Sequence, residues 1–258
     1  MVRLVSGVAL AASAVAAILF LPILGLRLLA CIVATLTAHE YLHIVHPARP
    51  LAAIVPWLLL VAATCWWMLR PGQYDVLWLM LLGVACVAVE VLFGGTTIDE
   101  AGTRFFAPWY IGMPLGLLTA LQAQHGAYVT LLLIATVVVS DSAQYYSGRT
   151  FGRRPLAPTI SPKKTIEGAI GGVIFGTLFM VIAGSWLLPG AAPRPLAAIG
   201  LAIVILGICG DLFESRLKRV AGVKDSSTLI PGHGGILDRI DALLFATPAY
   251  FVFLRTLA

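Results

Sequence analysis

Charged side chains are scarce in this chain. Asp, Glu, Lys and Arg make up 11% of its 258 residues, where a soluble domain carries about 25%. Together with a 60% hydrophobic content, that scarcity excludes a soluble globular protein. Long polar linkers are missing, so no separate soluble domain is expected. The apolar runs do not alternate with polar residues, which excludes the strands of a membrane barrel. The only cysteines are Cys31, Cys65, Cys86 and Cys209, all in apolar runs and with no CxxC pair; they read as small core residues, not as a thiol metal site. No Gly-x4-Gly-Lys-[Ser/Thr] sequence occurs, so a Walker A loop is excluded. The net charge of +5 is modest, and no nucleic-acid partner is expected.

What the chain does have is a series of continuous apolar runs. In lipid every backbone polar group needs an internal partner, so such runs are helices. The expected fold is all-α, a polytopic integral membrane protein with about nine spans near the ~20 residues that a bilayer requires. The spans are expected at Leu4–Leu21, Ile23–Ala38, Leu51–Leu69, Val76–Phe93, Phe105–Gln122, Ala127–Tyr146, Thr165–Leu188, Leu196–Ser215 and Gly235–Leu257. The first run is long for the core of a signal peptide and further membrane runs follow it at once, so it is taken as a membrane helix. One transmembrane domain over residues 1–258 is expected, with 1–125 as scaffold and 126–258 bearing the reactive motifs.

Nine spans place the termini on opposite sides. Thirteen of the seventeen Lys and Arg residues then fall on the side of the N-terminus, and only Arg27, Arg70, Arg194 and Arg255 on the other. The positive-inside bias makes the N-terminus cytoplasmic and puts the C-terminus across the membrane, here the inner membrane of a cell.

A topology signal does not explain why acids gather with these bases. The stretch from Gly210 to Asp241 holds Asp211, Glu214, Asp225, Asp238 and Asp241, beside Lys218, Arg219, Lys224, Arg239 and His233. Carboxylates near a membrane are costly and need a chemical reason. Asp211 and Ser215 share a helix face, as do Asp238 and Asp241. Neighbouring carboxylates repel unless something positive lies between them. An acid-rich set with no cysteine suits Mg²⁺ or Mn²⁺ better than zinc, and Mg²⁺ usually combines one or two protein carboxylates with phosphates and water. Gly232, Gly234 and Gly235 flank His233 and let the backbone approach a ligand.

Two further segments point the same way. Asp141 lies near the end of the sixth run, one turn before Tyr145, and a loop with Arg149, Arg153 and Arg154 follows. Ser161, Lys163, Lys164 and Thr165 then form a candidate phosphate cradle at a helix N-terminus, where free N–H groups and the helix dipole favour anions. Gly168, Gly172 and Gly176 recur every four residues and read as a packing face. Glu167 is expected in a capping role, and Glu90 as a satisfied interior acid.

One motif competes. His39-Glu40-Tyr41-Leu42-His43 has the HExxH spacing of zinc proteases, so an intramembrane zinc metalloprotease is an alternative. Such an enzyme needs a further ligand, and no Asp-Gly pair is present to supply it. An ion-coupled transporter would carry its acids near the bilayer midplane, whereas these cluster at one face.

The run from Ser215 and Lys218-Arg219 through Lys224-Asp225, Pro231-Gly232-His233-Gly234-Gly235 and Asp238-Arg239-x-Asp241 resembles the signature of the phosphatidate cytidylyltransferases. The segments around Asp141 to Gly152 and Ser161 to Gly168 are similar to other motifs of that family. The resemblance implies CTP + phosphatidate → CDP-diacylglycerol + pyrophosphate, one Mg²⁺ ion or two, membrane lipid as surroundings and a homodimer. It assigns the metal to Asp211, Asp238 and Asp241. Asp141, Lys218, Lys224, Asp225 and His233 become the catalytic candidates. Ser161, Lys163, Lys164, Arg219, Gly234 and Arg239 become the substrate-binding ones. A lipid kinase that uses CTP is the nearest enzymatic alternative.

Overall fold

A computed structural model describes residues 2–69, 73–230 and 234–257. Its helices pack as two compact units, Met1–Ala123 with Asp225–Asp238, and Gln124–Lys224 with Arg239–Ala258. The chain is an all-α membrane protein. Five of the described helices are long and apolar enough to cross a bilayer, at Ile23–Val45, Val76–Phe93, Ala127–Phe151, Ile166–Leu187 and Pro193–Val220, and two shorter ones, Gly7–Phe20 and Leu51–Trp67, are apolar.

The first unit holds α1 (Val2–Phe20), α2 (Ile23–Val45), α3 (Leu51–Trp67), α4 (Gln73–Phe93) and α5 (Ile98–Ala107), which runs through a π-helical turn (Pro108–Gly112) into α6 (Met113–His125). Pro22 and Pro50 hold extended backbone just before α2 and α3, where the fixed φ of proline ends one segment and lets the next begin. Helix α2 continues past the expected end at Ala38, because Tyr41, Leu42 and Ile44 still bury an apolar face. Pro108 offers no N–H to the helical ladder, and the helix widens at that point. Gly112 and Gly116 then let the widened segment lie against α3: a Cβ on either would meet the carbonyl oxygen of Val61 or Cys65 at 2.7 or 2.5 Å.

Asp99 and Glu100 do not lie in a loop, as their glycine-rich surroundings suggest. They form the first turn of α5, capped by Thr97, where acidic side chains complement the helix dipole. Arg104 is buried and pairs with Glu90 at 2.8 Å. Trp57 Nε1 donates to the same Glu90 at 2.8 Å. Glu90 is thus the satisfied interior acid that the sequence predicts.

The second unit holds α7 (Ala127–Phe151), a two-stranded antiparallel hairpin of β1 (Pro155–Ala157) and β2 (Ser161–Thr165), α8 (Ile166–Leu187), α9 (Pro193–Val220) and the body of α10 (Leu237–Leu257). The glycine face of α8 is the packing device expected. A Cβ at Gly168 would come within 2.7 Å of the Gln144 carbonyl, at Gly172 within 2.4 Å of Gln144 Cγ, and at Gly176 within 3.0 Å of Ser140 Cβ. Helices α7 and α8 therefore touch almost backbone to backbone. Tyr250 O–H donates to the Val129 carbonyl at 3.3 Å and ties α10 to α7.

Candidate active site

The close seam between α7 and α8 fixes the segment between them. Thr165 caps α8 by accepting from Gly168 N–H at 3.1 Å. Glu167 takes the N–H groups of Arg153 and Arg154 at 3.0 and 3.3 Å, so it holds the segment after α7 instead of capping a helix as expected. Arg219 donates to the Ile160 carbonyl in the hairpin turn at 3.3 Å and to Val223 at 3.2 Å. The hairpin that carries Ser161, Lys163 and Lys164 is thus pinned from α7, α8 and α9.

Lys163 is exposed, but half-buried Lys164 makes an ion pair with Asp211 of α9. Asp211 lies in electrostatic range of Asp141 on α7 and of Asp241 on α10, and Lys164 acts on all three. Helices α9 and α10 reach this closeness through Gly210, where a Cβ would sit 2.5 Å from the Asp241 carbonyl. Gln144 donates to Asp141 at 3.0 Å, and Ser215 to Asp211 at 3.4 Å. Three carboxylates from three helices, with one lysine among them, thus lie in mutual electrostatic range within the second unit.

The remaining predicted residues of this unit sit around α9 and α10. Lys218 pairs with buried Glu214 at 2.7 Å, so both ends of that pair have partners. Lys224 and Arg239 are exposed. His233 lies outside the described residues.

The first unit holds the other half of the signature. Asp238 Oδ2 accepts from Ser226 N–H at 2.9 Å, Ser226 Oγ at 2.8 Å and Gly235 N–H at 2.8 Å. Gly234 has φ +80, and a Cβ there would lie 2.6 Å from Asp238 Oδ2, so the backbone demands glycine. Asp225 is exposed. Glu40 of α2 joins this loop through Ser226 Oγ, Ser227 Oγ and the N–H groups of Ile236 and Leu237.

That environment argues against the zinc reading of the HEYLH motif. Glu40 is buried and engaged by loop donors, while His39 and His43 are exposed with stacked rings 6.2 Å apart. The glutamate of a zinc protease must meet water beside the metal. Sequence reasoning singled out Glu40 for the wrong chemistry and passed over Ser226, Ser227 and Gln144. The available signal was a lone acid at the end of an apolar helix, which needs donors from elsewhere in the chain.

Among the described residues, no three His, Cys, Asp or Glu side chains form a ready-made metal cage. A hard cation such as Mg²⁺ does not require one, because phosphate and water oxygens complete its shell. Asp141, Asp211 and Asp241 offer only oxygen ligands, beside a lysine able to meet phosphate.

Membrane helices that gather carboxylates and a lysine define an integral membrane enzyme of the phosphate-handling kind. The family model described as "Cytidylyltransferase family" matches residues 1–257, and the chain belongs to that family, whose members are nucleotidyltransferases. It is 44% identical over 135 residues to the phosphatidate cytidylyltransferase of Haemophilus influenzae, covering 50% of this chain and 47% of that protein. It is 37% identical over 203 residues to the Bacillus subtilis phosphatidate cytidylyltransferase, covering 72% and 74%. It is 30% identical to the Mycobacterium tuberculosis phosphatidate cytidylyltransferase, covering 98% and 82%. The match thus spans about half the length of the Haemophilus protein and most of the other two.

Proposed function

We propose that this protein is a phosphatidate cytidylyltransferase. A phosphate oxygen of phosphatidate attacks the α-phosphorus of CTP, the bond to the β-phosphate breaks, and pyrophosphate leaves with the electron pair. The observation that carries the reading is the electrostatic proximity of Asp141, Asp211, Asp241 and Lys164, in a chain of the cytidylyltransferase family with phosphatidate cytidylyltransferases among its relatives.

Such a transfer needs positioning and charge neutralisation more than covalent work by the protein. Bound Mg²⁺ would neutralise phosphate charge, held by Asp211, Asp241 and Asp141. Lys164 would exchange its partner Asp211 for a phosphate, and exposed Lys163 and Ser161 would extend the contact along the hairpin. Lys218, Lys224 and Arg239 would meet the remaining phosphate oxygens, and His233, which lies outside the described residues, stays a candidate on the sequence motif. Arg219 would serve by holding the hairpin turn. Asp238, whose Oδ2 already accepts three hydrogen bonds, would support the loop that carries Asp225 and Gly234. The protein would lie in the inner membrane as a homodimer, with its N-terminus and reactive residues facing the cytoplasm.

The test is incubation of the purified protein with Mg²⁺, phosphatidate and CTP labelled in the cytosine ring. A labelled lipid that releases CMP on hydrolysis is expected. A phosphorylated lipid without nucleoside would replace this reading with a lipid kinase, and no lipid product would remove it.

A further inference from the structure

We infer that Glu40 is a positioning residue of the reaction: its carboxylate clamps together both ends of the 226–237 segment. The inference rests on the function proposed above. It arises from contacts within the first unit alone.

Glu40 is only 5% exposed. A carboxylate offers about four lone-pair sites, and four donors face this one. Oε1 receives Ser227 Oγ at 2.6 Å and Ile236 N–H at 3.0 Å. Oε2 receives Leu237 N–H at 2.9 Å and lies 3.1 Å from Ser226 Oγ. The single hydroxyl hydrogen of Ser226 serves either Glu40 or Asp238 Oδ2, 2.8 Å away, which links the two acids through one side chain.

The N–H groups of Ile236 and Leu237 are among those that a helix start leaves without an internal partner. Leu237 opens α10. Glu40 therefore acts as the cap of α10, supplied from a different helix, where negative charge also meets the positive end of the helix dipole. Gly235 completes the fit: a Cβ there would lie 2.0 Å from Ser226 Oγ and 2.5 Å from Glu40 Oε2. Asp238 closes the same ring from inside the loop, accepting from Ser226 and Gly235 N–H. The segment that follows Asp225 and carries Gly234 is thus held at both ends by one carboxylate from α2. Burying that carboxylate without its donors would be costly, so clamp and loop form together.

The experiment uses the full chain in detergent micelles containing phosphatidate. Glu40→Gln keeps the size but turns a donor amide toward donors. Its kcat for cytidylyl transfer is expected to fall about 10- to 100-fold, with the thermal unfolding midpoint kept and part of the rate restored in Glu40→Asp. Amide hydrogen exchange at Ile236 and Leu237 should quicken, while α3 exchanges as in wild type. Ser227→Ala should lower the rate less, and Glu40→Gln/Ser227→Ala no further than Glu40→Gln alone, since both remove one interaction. Wild-type kcat in Glu40→Gln, unchanged exchange, or strictly additive losses would overturn the clamp. Should Glu40→Gln fail to accumulate, Ser227→Ala alone decides through the same exchange and rate measurements. If the wild-type protein makes no cytidine lipid, the functional reading fails, and the exchange comparison still judges the clamp.

Discussion

On the proposed function, Lys164 and its acidic neighbours are the residues whose substitution should cost most in rate. Asp241→Asn removes a charge that the cluster offers to a cation, and cytidylyl transfer is expected to fall at least about 100-fold, read as labelled lipid formed per minute. Raising Mg²⁺ should recover part of the loss. Chelation by EDTA should abolish wild-type activity, and Mg²⁺ should restore it. Arg104 belongs to a different account. It is a buried cation paired with Glu90, and Arg104→Ala strands that acid. The expected cost is about 3–5 kcal/mol, read as a lowered thermal midpoint before any effect on turnover. Asp141, Asp211 and Asp241 were legible from sequence as acids in need of a partner. Glu40 was not, because its donors lie at Ser226, Ser227, Ile236 and Leu237, and nothing local in HEYLH points to them.

At the scale of elements, glycines decide which helices meet. Gly210→Ala would push a methyl group to 2.5 Å from the Asp241 carbonyl, whereas a Cβ at Gly207 would sit at an ordinary 3.6 Å from Ala242. Gly210→Ala is expected to cost about 1–3 kcal/mol and most of the activity; Gly207→Ala should leave both near wild type. Parallel thermal melts and rate assays check the pair. The glycine face of α8 could be read directly, since a four-residue period maps onto one helical side. The β1–β2 hairpin could not. Its strands of 3 and 5 residues are too short for an alternating pattern, and Pro155, Pro158 and Pro162 hide it as a loop. The extension of α2 through Val45 was likewise hidden, because tertiary burial of Tyr41, Leu42 and Ile44 outweighs the polar residues between them.

At the scale of the whole molecule, the distribution of basic residues makes the strongest statement. A cysteine placed at Thr159 in the hairpin turn, in a chain without its native cysteines, is expected to react with a membrane-impermeant maleimide only from the cytoplasmic side. One added after Ala258 should react only from the opposite side. Reaction of both from one side would change the number of spans. Membrane character was evident from composition alone, because apolar runs leave the backbone no other way to satisfy its polar groups. The division into two units was not, since residues 225–238 join the first unit across a long stretch of chain.

That same tie has a consequence for biogenesis. Glu40 and Ser226 are 186 residues apart in sequence. At ~5–20 residues per second the ribosome needs about 10–40 s to produce the serine after the glutamate has emerged. The nascent chain must therefore keep a carboxylate waiting at the end of its second helix throughout that interval. A chain released before residue 226 lacks all four of the donors that Glu40 meets in the folded protein.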